Sequence, residues 1–232
     1  MQEDATRIQT PVDRHRRVLA IAGIASLGNG AALVGHILGG IPLPVVLAIT
    51  WSIAVGAVVA MAGVGDPGQG AAIRRTVVVG LAAGIVATLA YDGTKAVLAQ
   101  LDPSPYNPFE VTRIFGTVLV GASAPSSVIT AVGWGFHLMN GCTFAIAYAC
   151  LFGRGGRISK RRALVTGVAW GLFLETFQLL LYPGWLKIGF LDEFRRISFG
   201  AHLVFGAGLG LMVPYGLRRL QPDAPAGQPV RP

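Results

Sequence analysis

A carboxylate stands inside an apolar stretch, WGLFLETFQLLLYPGW at residues 170–185, where Glu175 is followed one helical turn later by Gln178. If lipid surrounds this stretch, an acid is costly there unless it faces other polar groups. A carboxyl group withdrawn from water is also suited to giving or taking a proton. The sequence therefore predicts Glu175 as a catalytic acid or base, with Asp92 of another apolar stretch as the second.

Four apolar stretches each carry a polar residue at a similar distance from a group of arginines. These residues are Asp92, His137, Gln178 and His202, each 16 or 17 positions from the nearest inner arginine. At the helical rise of about 1.5 Å per residue, they lie roughly 24–26 Å from that boundary. Glu175 lies one turn deeper and Lys95 one turn further out. Because ionisable groups in membrane spans usually face the bundle interior, we expect these side chains to converge.

Two cofactor hypotheses follow from the side-chain types. His137, His202 and Glu175 are of the ligand types that bind zinc, iron or copper, although they come from separate helices without short His-x-His spacing. The two histidines alone could instead bind a haem axially. The third chemistry needs no cofactor, because Glu175 and Asp92 could protonate an isoprenoid alkene or relay protons.

The same residues also predict a binding site, and they have a purely structural explanation. The predicted ligand-binding residues are His137, His202, Gln178, Asn140 and Lys95. In the structural alternative, each histidine hydrogen-bonds to a neighbouring helix, and Asp92 pairs locally with Lys95 at i and i+3. The chain contains no G-x-S-x-G and no Walker motif.

The composition predicts the kind of element that positions these residues. The chain has 232 residues, is 53% hydrophobic and 13% charged, and has a mean hydropathy of +0.59. Soluble domains are about 25% charged. Six stretches approach the length of about 20 apolar residues that crosses a bilayer; they are 18–38, 43–64, 76–99, 126–152, 163–182 and 197–217. We therefore predict an all-α, polytopic membrane helix bundle with six transmembrane helices.

The net charge of +8 is explained by topology. Lysines and arginines cluster in four groups beside span ends, at 14–17, 74–75, 154–162 and 218–219. Six spans place all four groups on one side, and the positive-inside rule then puts both termini in the cytoplasm. The expected partner of this charge is the lipid bilayer and not nucleic acid.

The chain divides into four predicted segments, one of which contains an internal repeat. They are an N-terminal cytoplasmic tail (1–17), a transmembrane hairpin (18–64), a four-helix repeat module (74–219) and a disordered C-terminal tail (220–232). RRTVVVGLAAG (74–84) resembles RRALVTGVAWG (161–171), and each is followed by a span with H-L-x-x-G, at 137–141 and 202–206. This order predicts two parallel hairpins. Their G-x-x-x-G pairs allow close helix packing.

One connection, residues 101–125, does not fit a span. It holds four prolines and an apolar piece of about ten residues, which is too short to cross a bilayer. An interfacial or re-entrant segment on the outer side is expected. It either caps the outer end of the bundle or forms a plain surface helix, and the plain surface helix is preferred.

Three stretches resemble a known family. GWGFHLMNGCTFAIAYACLFGRG (133–155), TGVAWGLFLETFQLLLYPGW (166–185) and SFGAHLVFGAGLGLMVPYG (198–216) resemble YagU-like bacterial inner-membrane proteins, over about residues 75–217. A weaker likeness, through Glu175-x-x-Gln178, is to VanZ-like membrane proteins. The resemblance implies a compact helical module in the bacterial inner membrane and brings no catalytic residues with it.

Three functions remain open at this point. The first is a membrane module that binds a lipid-like or apolar small molecule, or a partner membrane subunit, through an outward-facing cluster of His, Glu and Asp. The second is a membrane-embedded enzyme acting on a lipophilic substrate such as an isoprenoid. The third is a small transporter, which would be expected to form a homo-oligomer.

Overall fold

The structure, a computed structural model, describes residues 11–64, 67–153, 158–186 and 190–220. Over these ranges the chain forms eight helices and no strand. They are α1 (Pro11–Ala25), α2 (Gly28–Gly39), α3 (Leu43–Val64), α4 (Pro67–Leu101), α5 (Glu110–Val120), α6 (Ser126–Phe152), α7 (Lys160–Leu186) and α8 (Leu191–Arg219). The predicted all-helical bundle is confirmed. The predicted tails at 1–10 and 221–232 lie outside the described residues.

Four described helices, α4, α6, α7 and α8, are long and apolar enough to cross a membrane, and the number is five if α1 and α2 form one span. The six predicted spans are thus not confirmed as such. The first predicted span breaks between α1 and α2, which meet at an angle of 41°. The break falls at Ser26 and Leu27, just before Gly28, Asn29 and Gly30, which are poor helix formers.

The turn between α2 and α3 depends on a glycine. Gly40 adopts the left-handed conformation, with φ of 66°, and donates its N–H to the carbonyl of His36. Only glycine adopts this conformation without steric cost, so Gly40 allows the chain to turn from α2 into α3.

The four long helices form a row in which α4 and α8 are central. α6 packs on the outer side of α4, α7 packs on the outer side of α8, and α5 lies against α6. Burial differs most between α8 and α7: 56% of the most apolar window of α8 is buried, against 28% of that of α7. The large side chains exposed on α7 include Val165, Phe173 and Leu180. Such apolar outer faces suit a bundle surrounded by lipid.

Glycines allow close helix packing in both hairpins of the predicted repeat, α4 with α6 and α7 with α8. A Cβ at Gly80 would lie 2.7 Å from the Cα of Ile146 in α6, and one at Gly84 would lie 2.8 Å from the Cα of Cys142. In the second hairpin, a Cβ at Gly167 would lie 2.7 Å from the Cα of Gly210 in α8. These contacts give the glycines the close-packing role expected of G-x-x-x-G pairs.

Three of the four predicted basic groups lie at one end of the bundle, which we call the basic end and define by Arg75, Lys160 and Arg218. Arg75 donates to the carbonyl of Leu220 at 3.1 Å, which brings the start of α4 to the end of α8. Tyr148 donates to the carbonyl of Ala163, which joins the end of α6 to the start of α7. Arg154 and Arg157 of the predicted third group lie outside the described residues.

The opposite end, which we call the α5 end, is closed by an ion pair. Arg196 at the start of α8 lies 2.9 Å from Asp102, which directly follows α4. The polar residues of the predicted cluster lie on helices that run between this end and the basic end.

Candidate functional site

The first hairpin of the predicted repeat, formed by α4 and α6, contains a carboxylate–imidazole pair. Nε2 of His137 in α6 lies 2.9 Å from Oδ1 of Asp92 in α4. The contact requires an Nε2–H that donates to the carboxylate oxygen, which leaves Nδ1 for another partner. The side chains of both residues are largely buried, at 20% and 15% exposure.

The second hairpin of the repeat, formed by α7 and α8, contains an acid–imidazole pair with additional hydrogen-bonding residues. Nδ1 of His202 in α8 lies 2.7 Å from Oε2 of Glu175 in α7, and Glu175 is only 2% exposed. Ser198 donates to the same oxygen at 2.7 Å, and Gln178 donates to the hydroxyl of Ser198 at 2.7 Å. Glu175 is therefore not alone. Each hairpin joins an acid on its first long helix to an imidazole on its second.

This cluster is not arranged as a Ser-His-acid triad. In a triad, serine and acid bind opposite nitrogens of the imidazole. Here Glu175 and Ser198 both approach Nδ1 of His202, with Ser198 Oγ at 3.3 Å. Nε2 of His202 therefore remains for a group outside the cluster.

In both hairpins an acid contacts an imidazole, but the two helices are aligned differently along each other in the two hairpins. Gly84 lies beside Cys142, five residues after His137, whereas Gly171 lies beside His202 itself. The second pair of helices is thus shifted by about one turn. Accordingly, the acid follows Gly84 by eight residues in the first hairpin but follows Gly171 by four in the second.

This shift corrects the predicted depth of one residue. The number of residues that separates Gln178 from Arg162 and His202 from Arg218 predicted that Gln178 and His202 lie at the same level. In the structure, the residue of α7 beside the His202 backbone is Gly171, seven positions before Gln178. The count assumed that Arg162 and Arg218 lie at the same level. It was correct for Asp92 and His137, where the inferred level and the observed contact agree.

Tyr91 connects the two pairs. Its ring lies 4.9 Å from the imidazole of His202 and 5.9 Å from that of His137, measured between centroids. Tyr91 is only 6% exposed. The two acid–imidazole pairs thus form one cluster around a single aromatic ring.

Beside this cluster lies a cavity of about 80 Å³. One water needs only about 10–15 Å³ measured in this way, so the cavity has room for a small molecule. All five predicted ligand-binding residues contribute to its wall: Lys95, His137, Asn140, Gln178 and His202. Glu175 and Asp92 lie behind the imidazoles. If acid–base chemistry occurs here, the histidines contact the ligand and the carboxylates position them.

Two residues of the cavity wall each carry a buried oxygen with no hydrogen-bond partner among the described residues. The oxygens are Oγ1 of Thr88 and Oδ1 of Asn140. The rest of the wall is largely aromatic and includes Phe115, Tyr182 and Phe205. An unpaired buried polar atom costs roughly 1–3 kcal/mol, and both oxygens are covered by protein atoms.

Lys95 is the most unusual residue of the wall. It is 4% exposed, and none of the ion pairs in the described part of the chain involves it. Its Nζ lies 5.5 Å from the ring centre of Tyr91 and 5.6 Å from that of Phe109. Cation–π contacts contribute about 0.5–2 kcal/mol, whereas burial of an ammonium costs several times that. The suggested local pair with Asp92 is not formed, because Asp92 pairs with His137.

The helix α5 forms part of the cavity wall through Val111, Thr112 and Phe115. It approaches α6 closely, since a Cβ at Gly116 would overlap the carbonyl of Ile129. The preferred interpretation of residues 101–125 as a plain surface helix is therefore wrong, because α5 packs against α6 and caps the cavity.

The predicted metal and haem sites do not fit this geometry. In the described part of the chain, no three His, Cys, Asp or Glu side chains are grouped so that they could hold a metal ion. His202 and Glu175 are in contact, but His137 pairs with Asp92. A haem between the histidines would have to displace the ring of Tyr91, and Nε2 of His137 is already bonded.

Sequence reasoning missed Ser198, Tyr91 and Thr88. Ser198 precedes His202 by four residues, so helical spacing alone puts both on one face. Tyr91 directly precedes Asp92 but resembles any core aromatic in sequence. Nothing in the sequence distinguishes Thr88, because its notable feature is a buried hydroxyl without a hydrogen-bond partner, which depends on how the helices pack.

In comparisons with known proteins, this chain matches no protein-family model, no curated protein and no solved structure. The resemblance to YagU-like and VanZ-like proteins therefore stays a prediction.

Proposed function

We propose that this chain is an integral membrane protein that binds a small lipid-like molecule in the cavity beside the two acid–imidazole pairs. The observation that carries the proposal is a cavity whose wall combines aromatic rings with polar side chains, among them Lys95 and Gln178. Protein interiors hold few voids larger than a water molecule. A ligand with an apolar body and a polar group would fill the space and contact both parts of the wall.

The location of the cavity supports a lipophilic ligand. Its wall comes from α4, α6, α7 and α8, the four helices apolar enough to cross a membrane, and from α5. A molecule that enters from the bilayer reaches such a cavity without crossing a large aqueous phase.

Binding is expected to stabilise the folded protein in proportion to ligand occupancy. Addition of 1-octanol or octanoate to the detergent-solubilised protein should raise its melting temperature. Asn140→Phe, which fills the cavity from α6, should abolish most of this rise. Leu138→Phe is the matched control, because Leu138 is 38% exposed on the same helix. Equal responses of all three proteins to both probes would mean that the probes act on the detergent or the surface, and would contradict the proposal.

We further propose six spans, with both termini and the basic end in the cytoplasm of a bacterial cell. α1 and α2 would form one broken span, and α3, with 22 residues, has the length of a second. The gathering of basic groups at one end of the bundle supports this orientation.

The orientation predicts a labelling pattern in intact cells. The native thiols, Cys142 and Cys150, are buried, so a new surface cysteine should dominate the reaction. A membrane-impermeant maleimide should label Asn107→Cys, at the α5 end, and should label Ser159→Cys, at the basic end, only after lysis. The reverse pattern would refute the orientation.

A further inference from the structure

We infer that the molecule bound in the cavity is an anionic amphiphile whose charged group pairs with Lys95 while its apolar part lies against the aromatic wall. This inference rests on the proposed function and adds the charge of the ligand to it.

The side chain of Lys95 is almost fully buried, faces the cavity, and has two aromatic rings and no carboxylate as its close neighbours. A buried ammonium needs an anion or several acceptors, and here the cavity is the open side from which one can come.

Two acids of the same cluster could have neutralised Lys95: Asp92, three residues earlier on α4, and Glu175 on α7. Each of them, however, has an imidazole as its direct partner, at 2.9 Å and 2.7 Å. The hydrogen-bonding capacity of the two acids is thus directed at the histidines and not at Lys95.

A cationic ligand would face the ammonium of Lys95, and an uncharged one would leave it unpaired. A carboxylate or phosphate would form a charge-assisted hydrogen bond with it. The neighbouring rings of Phe115 and Phe205 provide the apolar contact that distinguishes an amphiphile from a free anion.

The test compares three probes on four proteins by melting temperature as a function of probe concentration. The probes are octanoate, 1-octanol and inorganic phosphate. The proteins are the wild type, Lys95→Met, Lys95→Arg and Lys160→Met. Lys160 is exposed at the start of α7, so its replacement removes the same charge far from the cavity.

Wild type and Lys160→Met should bind octanoate at least about tenfold more tightly than 1-octanol. Lys95→Met should lose this preference, and Lys95→Arg should keep most of it because the charge is retained. If the wild type binds both octyl probes equally, or if Lys95→Met keeps the preference, the anionic ligand is refuted while the proposed function stands. If neither octyl probe binds, both proposals fail. Binding of phosphate as tight as that of octanoate would refute the amphiphile and identify a free anion as the ligand.

Discussion

Replacement of Glu175 by alanine is expected to lower the free energy of unfolding by about 3–5 kcal/mol, the typical cost of removing one partner of a buried pair. Glu175 is 2% exposed, and its Oε2 accepts a hydrogen bond from Ser198 and lies 2.7 Å from Nδ1 of His202. Without the carboxylate, the hydroxyl of Ser198 would lose its acceptor and the imidazole would lose its ion-pair partner in the interior of the bundle. The measurement is an equilibrium unfolding titration of the purified protein in detergent.

Two further variants separate the hydrogen bonds from general packing. Glu175→Gln keeps an oxygen that can accept from Ser198 and His202, so we expect a smaller loss of about 1–2 kcal/mol. Thr176→Ala changes the adjacent exposed residue, whose hydroxyl bonds only within α7, and should change stability by less than about 0.5 kcal/mol. A loss for Glu175→Ala no larger than that for Thr176→Ala would mean that Glu175 has no buried partners.

The second large effect is expected at Gly171. A Cβ at this position would overlap the carbonyl oxygen of His202. Because the obstacle is backbone, a side chain cannot rotate away and α7 must move from α8. We expect Gly171→Ala to cost about 3 kcal/mol, the upper end of the usual range for overpacking. The movement would also separate Glu175, one turn further along α7, from His202.

Other glycines of the bundle provide the control. Gly93 in α4 and Gly135 in α6 have open space where a Cβ would be added. Alanine at these helical positions should leave stability unchanged or raise it by about 0.5–1 kcal/mol. If Gly171→Ala is as stable as Gly93→Ala in the same unfolding titration, α7 and α8 do not pack as described.

The sequence was informative about the helices for a physical reason. A span in lipid must be helical and mostly apolar, so hydropathy alone located α4, α6, α7 and α8. The break at Ser26 and Leu27 was not predicted, since the residues around it remain apolar on average. Local helix propensity interrupts the helix there, and hydropathy does not report it.

The sequence predicted which residues belong to the cluster but not which of them contact each other. Ionisable residues are rare in lipid, so Asp92, His137, Glu175 and His202 could be selected from composition. Their partners depend on how far one helix slides along another. The contacts of Gly84 and Gly171 determine this register, and a shift of one turn brings Glu175 to His202, whereas counting had placed Gln178 level with it.

The central claim is that polar side chains from separate helices meet in one cluster, and a double-mutant cycle between Glu175 and His202 tests it most directly. Unfolding free energies are compared for the wild type, Glu175→Gln, His202→Asn and the double variant. Because the two side chains are in contact at 2.7 Å, the double variant should lose about 1–3 kcal/mol less than the sum of the single losses. Losses that add to within about 0.5 kcal/mol would mean that the two residues do not interact, and the cluster would not exist.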